Sequence, residues 1–447
     1  MMSAAFGRHA IVIGAGMGGL AAAAALAGSF RRVTVLERDT LRSDALPRAG
    51  APQSSQVHGL LGGGQRALCT LLPGFEQDLL RAGAVRIRFG LDERMEVAGC
   101  DCFPRHDLGW DGYTLTRPLL ELTLRRRVQQ LPNIMLRERC RVSEIVASDD
   151  GAVTGVRCQS IGWPHEIVPA DLVVDASARG MLTEALLAAT GWPEVERTVI
   201  GIDLKYVSAT FAIPESRRDW KLVLTFPDWQ SDTKTGVMVP VEGDRWKIAV
   251  GERHEAASPT DEAGFRELVR QLRTPTIHEA IGPARCLGEI QRFAFPESTW
   301  RRYERLDGFP RGLLPIGDAI CRFNPIYGQG MTVAAQEACI LRDLLRTRNG
   351  RADPVAGLGQ AFIAAVQPVI DAAWSMSAVP DLVHPLTRGQ RPDDLEESLQ
   401  SKMALLRIAT RDPEVHRLLV AVNHLMEPPS ALQAPHLMRR VEMAMAA

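Results

Sequence analysis

A glycine-marked turn near the start of the chain constrains the fold more than any other feature of the sequence. Residues 10–13 are wholly apolar, which is typical of a buried parallel strand, and a turn containing Gly14, Gly16 and Gly19 follows them. The first glycine allows the tight turn, the second leaves room for a pyrophosphate against the backbone, and the third lets the next helix pack on its strand. A second apolar strand ends in Glu37, 23 positions after Gly14, where an acid accepts hydrogen bonds from ribose hydroxyls. The order of these elements predicts a Rossmann-type site for an adenine dinucleotide.

A second glycine-rich segment lies far along the chain. Gly317 and Asp318 follow an apolar run, and Gly328 and Gly330 come shortly afterwards, at the start of a long helical pattern. A nicotinamide dehydrogenase normally has a contiguous binding domain. A discontinuous one fits a long, extended cofactor that is threaded through the protein, so the two segments together predict FAD.

The composition is that of an ordinary globular protein. The 447 residues carry a formal net charge of −1, which gives no electrostatic reason to expect nucleic acid or an anionic membrane as a partner. Residues 9–28 could pass for a secretory signal peptide, but cleavage there would discard the glycine turn, and no other stretch approaches the ~20 apolar residues of a membrane span. The eight cysteines are scattered without a zinc-binding spacing. We therefore expect reduced thiols in a cytoplasmic protein with no transmembrane segment and no metal site.

Patterns of secondary structure divide the chain into three regions. Short β-branched segments after residue 198 predict an antiparallel sheet, and helices are predicted beyond Pro354, broken at Pro368, Pro380, Pro385, Pro413 and the Pro428-Pro429 pair. We predict an α/β fold with a discontinuous Rossmann-like FAD-binding domain, an inserted antiparallel β-sheet substrate domain and a C-terminal helical region. The FAD-binding domain is assigned residues 1–80, 110–190 and 300–350, the substrate domain residues 81–109 and 195–299, and the helical region residues 351–447.

The sequence resembles the FAD-dependent monooxygenases that include the aromatic hydroxylases and squalene epoxidase, and is most similar to bacterial flavin epoxidases of polyketide polyenes. The resemblance covers roughly residues 8–345. Four segments carry it: the glycine turn with Glu37, residues 52–61 (PQSSQVHGLL), residues 171–177 (DLVVDAS), and residues 317–331 (GDAICRFNPIYGQGM).

The resemblance implies which residues contact the cofactor. The counterpart of Asp318 binds the ribityl chain, the loop of residues 325–331 covers one face of the isoalloxazine ring, and the following helix directs its N-terminus at the pyrimidine end, where reduced flavin is negatively charged. Arg48 and Arg117 would approach the pyrophosphate, because guanidinium groups bind phosphate oxygens in pairs. The alternatives are a solvated loop for Arg48 and a surface charge for Arg117. The other predicted cofactor contacts are Gly14, Gly16, Gly18, Gly19, Glu37, Arg38, Gln56, His58, Asp175, Gly328, Gly330 and Met331.

The resemblance also implies where the substrate lies. The inserted sheet would cover the flavin, and Phe323, Asn324, Pro325 and Tyr327 would border the substrate pocket from below. His58 would lie near the ring, although a histidine in such a loop more often satisfies a backbone carbonyl. Few tyrosines and an apolar sheet suggest a hydrophobic substrate that is recognised mainly by shape.

The implied reaction is monooxygenation. In that family, reduced FAD reacts with O2 to give a C4a-hydroperoxide, which transfers one oxygen atom to an alkene (epoxidation) or an aromatic ring (hydroxylation), here in secondary metabolism. NAD(P)H is the implied electron donor, either directly or through a partner flavin reductase. The hydroxylases carry an Asp-Gly pair where this chain has Asp175-Ala176, which leaves direct reduction open. Because the cofactor performs the chemistry, no catalytic side chain is required and we predict none.

Two other functions fit the same pattern. A flavin-dependent reductase of isoprenoid-type double bonds shares the fold and the Gly-Asp segment. A non-catalytic binding protein of the same fold would lack the pyrophosphate glycines, and all three are present here. Flavin-dependent halogenation is disfavoured because a Trp-x-Trp-x-Ile-Pro signature is absent from the sequence.

Overall fold

The computed structural model describes residues 6–215, 219–230, 232–254 and 258–446. Within these ranges the chain forms seventeen strands and twelve α-helices. The strands, in chain order, are β1 (Gly7–Ile13), β2 (Phe30–Leu36), β3 (Val85–Arg88), β4 (Glu93–Val97), β5 (Asp111–Thr114), β6 (Ile134–Arg137), β7 (Cys140–Ala147), β8 (Val153–Ser160), β9 (Glu166–Pro169), β10 (Leu172–Asp175), β11 (Arg197–Ala212), β12 (Leu222–Phe226), β13 (Lys234–Val241), β14 (Arg245–Glu252), β15 (Gln291–Arg301), β16 (Leu313–Pro315) and β17 (Cys321–Arg322). The helices are α1 (Met17–Leu26), α2 (Gly62–Leu71), α3 (Phe75–Arg81), α4 (Arg117–Val128), α5 (Met181–Ala189), α6 (Glu262–Arg270), α7 (Thr276–Ile281), α8 (Gly330–Arg348), α9 (Leu358–Leu382), α10 (Leu395–Ala409), α11 (Pro413–Asn423) and α12 (Pro435–Ala446).

A five-stranded parallel sheet carries the glycine turn. Its strand order is β16-β10-β1-β2-β6, and every neighbouring pair is parallel. The strand β1 is buried along residues 9–13, as expected for a central strand with both faces covered. The next helix, α1, is apolar on all sides and packs between the sheet and α8. The predicted Rossmann-like domain is confirmed.

A seven-stranded sheet forms the second layer. Its order is β17-β15-β11-β14-β13-β12-β4, and every pair is antiparallel except β12 with β4. The outer face packs on α6 and α7 through a core that includes Phe211, Ile248, Phe265 and Ile277. The side chains that alternate with these point to the opposite face, which we call the inner face.

One row of residues runs across the inner face from strand to strand. Hydrogen-bonded register places Ser208, Ala249, Val237, Leu224 and Met95 side by side on β11, β14, β13, β12 and β4. All but the first of these side chains are apolar. The last three side chains are only partly buried.

The predicted domain boundaries remain a proposal. The seven-stranded sheet takes β4 from residues 81–109, as assigned, but it also takes β17 from residues 300–350. The strands β3 and β5 pair only with each other, across the proposed boundary near residue 110. Sheet pairing therefore crosses the boundaries at both ends of the substrate domain.

The helix α9 runs uninterrupted through Pro368 and Pro380, so the predicted breaks at these two prolines are wrong. A proline inside a helix leaves the carbonyl four residues earlier without its N–H donor. For Pro380 that carbonyl belongs to Met376, and Lys402 Nζ on α10 donates a hydrogen bond to it at 3.2 Å. A side chain from a later helix thus replaces the missing donor.

The same helix is the one segment of the described residues that is long and apolar enough to cross a membrane. Its side chains Phe362, Ile370 and Trp374 belong to the main hydrophobic core. The helix contacts α8, β11 and β16 on its sides. Its apolar composition is therefore accounted for by packing inside the protein.

The helices α10, α11 and α12 cover the β4 end of the inner face. Val97 of β4 and Trp229 form one apolar cluster with Leu399, Leu406 and Leu419 from these helices. The C-terminal region thus forms a wall beside the sheet.

Candidate cofactor and substrate site

The glycine turn has the geometry of a phosphate-binding loop. Gly14 has a φ of +102°, and a Cβ at this position would lie 2.8 Å from the carbonyl oxygen of Ala176. A Cβ on Gly19 would lie 1.9 Å from the carbonyl oxygen of Gly14. Gly16 caps α1 with no side-chain hydrogen bond, and the first turn carries no acidic residue. The N–H groups that begin α1 can therefore receive an anion.

Gly18 has a different position. A Cβ there would lie 3.4 Å from the side chain of Ala334, so this glycine lets α1 pack closely on α8. The predicted cofactor contact at Gly18 stays a prediction.

Glu37 lies against the glycine turn. Its Oε2 accepts a hydrogen bond from the N–H of Ala15 at 2.8 Å, and Oε1 accepts one from the N–H of Asp39 at 3.0 Å. The side chain is buried at the end of β2. The structure thus brings together the acid and the glycines that the sequence analysis paired, while the neighbouring Arg38 is exposed.

Two arginines meet beside this acid. Arg48 donates to Glu121 at 2.8 Å and to Asp39 at 2.9 Å, and lies 3.2 Å from Glu37. Arg117 donates to the other oxygen of Glu121 at 3.0 Å. Burial opposes ionisation of Glu121, but the two guanidinium groups outweigh it and lower the pKa of this carboxyl. Neither arginine is a solvated surface charge, which excludes the alternatives considered for them.

Glu121 was not predicted as a site residue, although its spacing from Arg117 could have indicated it. It stands four residues after Arg117 on a predicted helix, the spacing at which opposite charges pair. Arg117 also reaches the second glycine segment, since its Nη1 contacts the sulfur of Met331 at 2.6 Å. The Nε of Arg117 is buried without a hydrogen-bond partner among the described residues.

The second glycine segment turns sharply at Gly317, which has a φ of +64°. Its N–H donates to Oε2 of Glu337 on α8 at 2.6 Å. Glu337 is fully buried, and burial raises its pKa to about 8. Burial likewise raises the pKa of Asp318, an effect that Arg322 and Arg117 oppose. Glu337 therefore holds the turn at Gly317 through this hydrogen bond. It was not predicted as a site residue from the sequence.

The N-terminus of α8 is open. The side chain of its N-cap residue, Gln329, makes no capping bond, and its buried amide nitrogen and oxygen have no partner among the described residues. A Cβ on Gly330 would lie 3.7 Å from Oδ1 of Asp318, so the acid and the helix start are adjacent. Gly328, with a φ of +67°, brings the chain close to Gly59.

These features fit FAD. The unpartnered amide of Gln329, the unpartnered Nε of Arg117 and two uncapped helix starts all require a polar partner. Glu37 would hold the adenosine ribose, the glycine turn with Arg48 and Arg117 the pyrophosphate, Asp318 the ribityl chain, and the start of α8 the pyrimidine end of the flavin.

The loop that carries Gln56 and His58 is fastened to the inner face. Ser208 Oγ donates to Oε1 of Gln56 at 2.6 Å, so this amide oxygen is already engaged. His58 Nδ1 lies 3.1 Å from the carbonyl of Gln56 and therefore carries the proton, which leaves Nε2 as an acceptor. Burial, assisted by the cation of Arg117, lowers the pKa of His58 to about 3, so the imidazole is neutral.

Asp175 is held by partners within the protein. Its fully buried carboxylate accepts hydrogen bonds from the hydroxyl of Thr183 at 2.7 Å and from the N–H of Ser177 at 2.9 Å. These bonds fix the start of α5. The structure thus gives Asp175 a role in holding α5, and its predicted contact with the cofactor stays a prediction.

Two of the four predicted substrate residues are inaccessible. Phe323 is 5% exposed and packs in the main core near Trp374, and Asn324 is completely buried. The prediction that they border the substrate pocket is corrected. Pro325 is exposed and Tyr327 is partly exposed, so these two remain candidates.

Asn324 belongs to a polar cluster that the sequence analysis missed. Its Nδ2 donates to both carboxylate oxygens of Asp381, at 3.0 and 2.9 Å, and Tyr327 Oη donates to the same group at 3.0 Å. Arg253 from the end of β14 lies 3.6 Å away. Burial raises the pKa of Asp381 to about 6, with Arg253 opposing the shift. The cluster joins residues 323–331, which we call the flavin-side loop, to α9 and to the seven-stranded sheet.

Metal sites and disulfides are absent from the part of the chain that the structure describes. It contains no group of three His, Cys, Asp or Glu side chains that could hold a metal ion. All eight cysteines are free thiols.

Comparison with known proteins agrees with this geometry. Residues 12–41 match the family described as NAD(P)-binding Rossmann-like domain. The chain is 33% identical over 400 residues to Protein Rv3254 of Mycobacterium tuberculosis, a match that covers 86% of this chain and 83% of that protein. It is 25% identical over 351 residues to squalene epoxidase 4 of Arabidopsis thaliana, covering 75% of this chain and 61% of the epoxidase.

Solved structures share the fold. A flavoprotein/dehydrogenase of Cytophaga hutchinsonii has a TM-score of 0.69 at 14% identity, and the flavin-dependent brominase Bmp2 one of 0.67 at 13%; each match covers 98% of both chains. PqsL of Pseudomonas aeruginosa, a probable FAD-dependent monooxygenase, has a TM-score of 0.61 at 18% identity over 84% of this chain and 97% of its own. At these identities the likeness shows the fold alone.

Proposed function

The chain belongs to the same family as Protein Rv3254, within the class of FAD-dependent monooxygenases, and we propose that it inserts one oxygen atom of O2 into a hydrophobic alkene or aromatic ring. The observation that carries the proposal is the docking of the cofactor segments onto the inner face of the sheet. Ser208 binds the loop of Gln56, and Ile326 of the flavin-side loop lies beside Gly251 of β14. A substrate on the inner face would thus lie next to the flavin end of the cofactor site.

The inner face favours an apolar substrate. Its partly exposed side chains include Leu224, Phe226, Val237 and Met95, and the C-terminal helices close its far end. A surface of this composition binds by shape and by removal of apolar area from water. It also limits the access of water to the reacting groups.

The side chains of this site would position the cofactor and the substrate and set the charge around them, and the cofactor would supply the redox chemistry. Bound FAD provides the activation of O2 and accepts electrons from the donor. The helix start at Gly330 would stabilise negative charge at the pyrimidine end of reduced flavin. His58, held neutral with Nε2 free to accept, adds no positive charge of its own beside the ring.

We further propose that NAD(P)H supplies the electrons, directly or through a flavin reductase. The balanced reaction consumes one substrate, one O2, one NAD(P)H and one proton, and it yields the oxygenated product, water and NAD(P)+. A cytoplasmic location and a role in secondary metabolism complete the proposal; the first follows from the thiol content and the second from the sequence resemblance.

The test supplies FAD-loaded protein with NAD(P)H, with and without an added flavin reductase, and with isotopically labelled O2. Squalene serves as the alkene probe and 2-naphthol as the aromatic probe. We expect one labelled oxygen atom in a product, seen by mass spectrometry, together with NAD(P)H consumption that depends on the probe. A product that gains two hydrogens and no oxygen would establish the reductase instead. A halogenated product formed only with added halide would also refute the proposal.

A further inference from the structure

We propose that Glu93 recognises the substrate, and that this substrate carries a hydroxyl or amino group at the end remote from the carbon atoms that are oxygenated. The inference deepens the proposed function and rests on it for the identity of the reaction. Its own evidence is the placement of one carboxyl group on the inner face beside the apolar row, three strands away from Lys247, which alternation puts on the same face.

Alternation along β4 places this side chain on the inner face. Met95 and Val97 share its side of the strand, and both pack against the C-terminal helices. Arg94 and Glu96 point to the other side, where they pair with each other at 2.7 Å. Glu93 therefore stands beside the apolar row of the inner face.

The position in the sheet gives a distance. Glu93 is aligned with Leu222 on β12, and β13 and β14 lie between that strand and β11, where Ser208 holds the loop of Gln56. Four strand spacings of about 4.8 Å place β4 roughly 19 Å from β11. A molecule that reaches from the loop of Gln56 to Glu93 is therefore long, and its middle crosses Val237, Leu224 and Met95.

The carboxyl group has no protein partner among the described residues. The charged residues on either side of it in the chain are paired with other residues. Asp92 binds Arg88 and Lys221, and Arg94 binds Glu96. Leu222, the residue aligned with it, packs in an apolar cluster with Val57 and Val239. Burial alone raises the pKa of Glu93 to about 7.

An unpaired carboxyl group in this position opposes folding, because an ion loses its hydration there without gaining a counterion. The side chain nevertheless remains partly exposed. A substrate hydroxyl or ammonium group would supply the missing hydrogen bond. The carboxylate would in turn reject an anionic end group.

The experiment measures binding without turnover. Three probes with the same polyene chain, retinylamine, retinol and retinoate, are titrated into FAD-loaded protein at pH 8, with polyene absorbance and flavin fluorescence as readouts. We expect the protein to bind retinylamine and retinol about tenfold or more tightly than retinoate. Glu93→Met, which matches the neighbouring Met95, should abolish this preference, and Glu93→Gln should retain retinol binding but lose the preference for the amine. The control Glu194→Gln, at an exposed residue, should behave as the wild type.

Thermal stability separates recognition from a structural role. Because the folded state disfavours the charged carboxyl, Glu93→Met and Glu93→Gln should raise the Tm at pH 8 and raise it less at pH 5, while they weaken amine binding. A structural residue would lose both stability and binding. Equal affinity of the wild type for all three probes, or a preference that survives in Glu93→Met, would overturn the proposal. Retained amine preference in a protein that transfers no labelled oxygen would instead refute monooxygenation alone.

Discussion

At the residue scale, Gly19 is the position in the glycine turn where a side chain would clash most closely with the backbone. A methyl group here would lie 1.9 Å from the carbonyl oxygen of Gly14, a backbone atom that cannot move without changing the phosphate loop. We expect Gly19→Ala to lose most of its bound FAD, measured as flavin per chain after gel filtration. Gly28→Ala is the matched control, because a Cβ at that position meets nothing within 4 Å. Equal flavin content in the two variants would show that the loop tolerates the shift.

Glu337 should make stability depend on pH. Its pKa is about 8 in the folded protein, against 4.5 for an ordinary glutamate, so between these values the folded state holds a proton that unfolding releases. Stability from this group is therefore complete below about pH 4.5 and falls as the pH rises towards 8, by at most about 5 kcal/mol. Glu337→Gln keeps an acceptor for the N–H of Gly317 but has no proton to lose.

The measurement is the free energy of unfolding in urea at pH 5 and at pH 8. We expect the glutamine variant to gain on the wild type as the pH rises, while Glu194→Gln, at an exposed carboxyl, follows the wild type at both values. An equal difference between Glu337→Gln and the wild type at pH 5 and pH 8 would mean that folding does not raise the pKa of this carboxyl.

At the scale of elements, structure that forms from adjacent residues was predictable from the sequence. Hydrogen bonds from residues far away in the chain, which replace a missing local bond, were not. The strand, turn and helix around Gly14 form from adjacent residues, so periodicity and glycine spacing were enough to predict them. Where α9 passes Pro380, the carbonyl that loses its donor is bound by Lys402, which lies on another helix. No pattern within residues 358–382 indicates that a distant lysine will satisfy the free carbonyl. The predicted break followed the usual behaviour of proline and failed for this reason.

The flavin-side loop shows the same limit. The sequence identified Asn324 and Tyr327 as site residues but could not indicate that both point to Asp381, 57 and 54 residues away. Asn324 therefore turned out to be a buried anchor, and only Tyr327 keeps an accessible surface. Contacts of this kind arise from packing of α9 against the sheet, which neither segment encodes alone.

The anchor can be measured. Asn324→Ala removes two donors from a buried carboxyl and the acceptor for the N–H of Ile326, so we expect a loss of about 2–4 kcal/mol in the free energy of unfolding. Tyr327→Phe removes one donor and should cost about 1.5 kcal/mol. Asn423→Ala, at an exposed helix end, is the control. In an Asp381→Ala background the cost of Asn324→Ala should shrink, and an unchanged cost would show that the two residues are not coupled.

At the scale of the whole molecule, the cofactor site joins segments that are far apart in the chain. The glycine turn and Glu37 belong to the first Rossmann unit, Arg117 to α4, the loop of Gln56 is held on the seven-stranded sheet, and Asp318 precedes α8. Several of the polar groups that meet there have no partner within the described chain. Bound FAD would supply hydrogen-bond partners both at the glycine turn and at the start of α8. Its binding should therefore stabilise the packing of these distant segments against each other.

This argument predicts different effects for FAD and ADP. At a concentration of one hundred times its Kd, each ligand adds about 2.7 kcal/mol to the free energy of unfolding, because it binds only the folded state. ADP should reach Glu37, the glycine turn and the arginines, whereas FAD should also reach Asp318 and the start of α8. In hydrogen exchange at these matched saturations, both ligands should protect residues 14–19, but only FAD should protect residues 317–332. Equal protection of the second segment by ADP would show that ordering spreads from the adenosine end through Arg117 and Met331, which are in contact without the flavin.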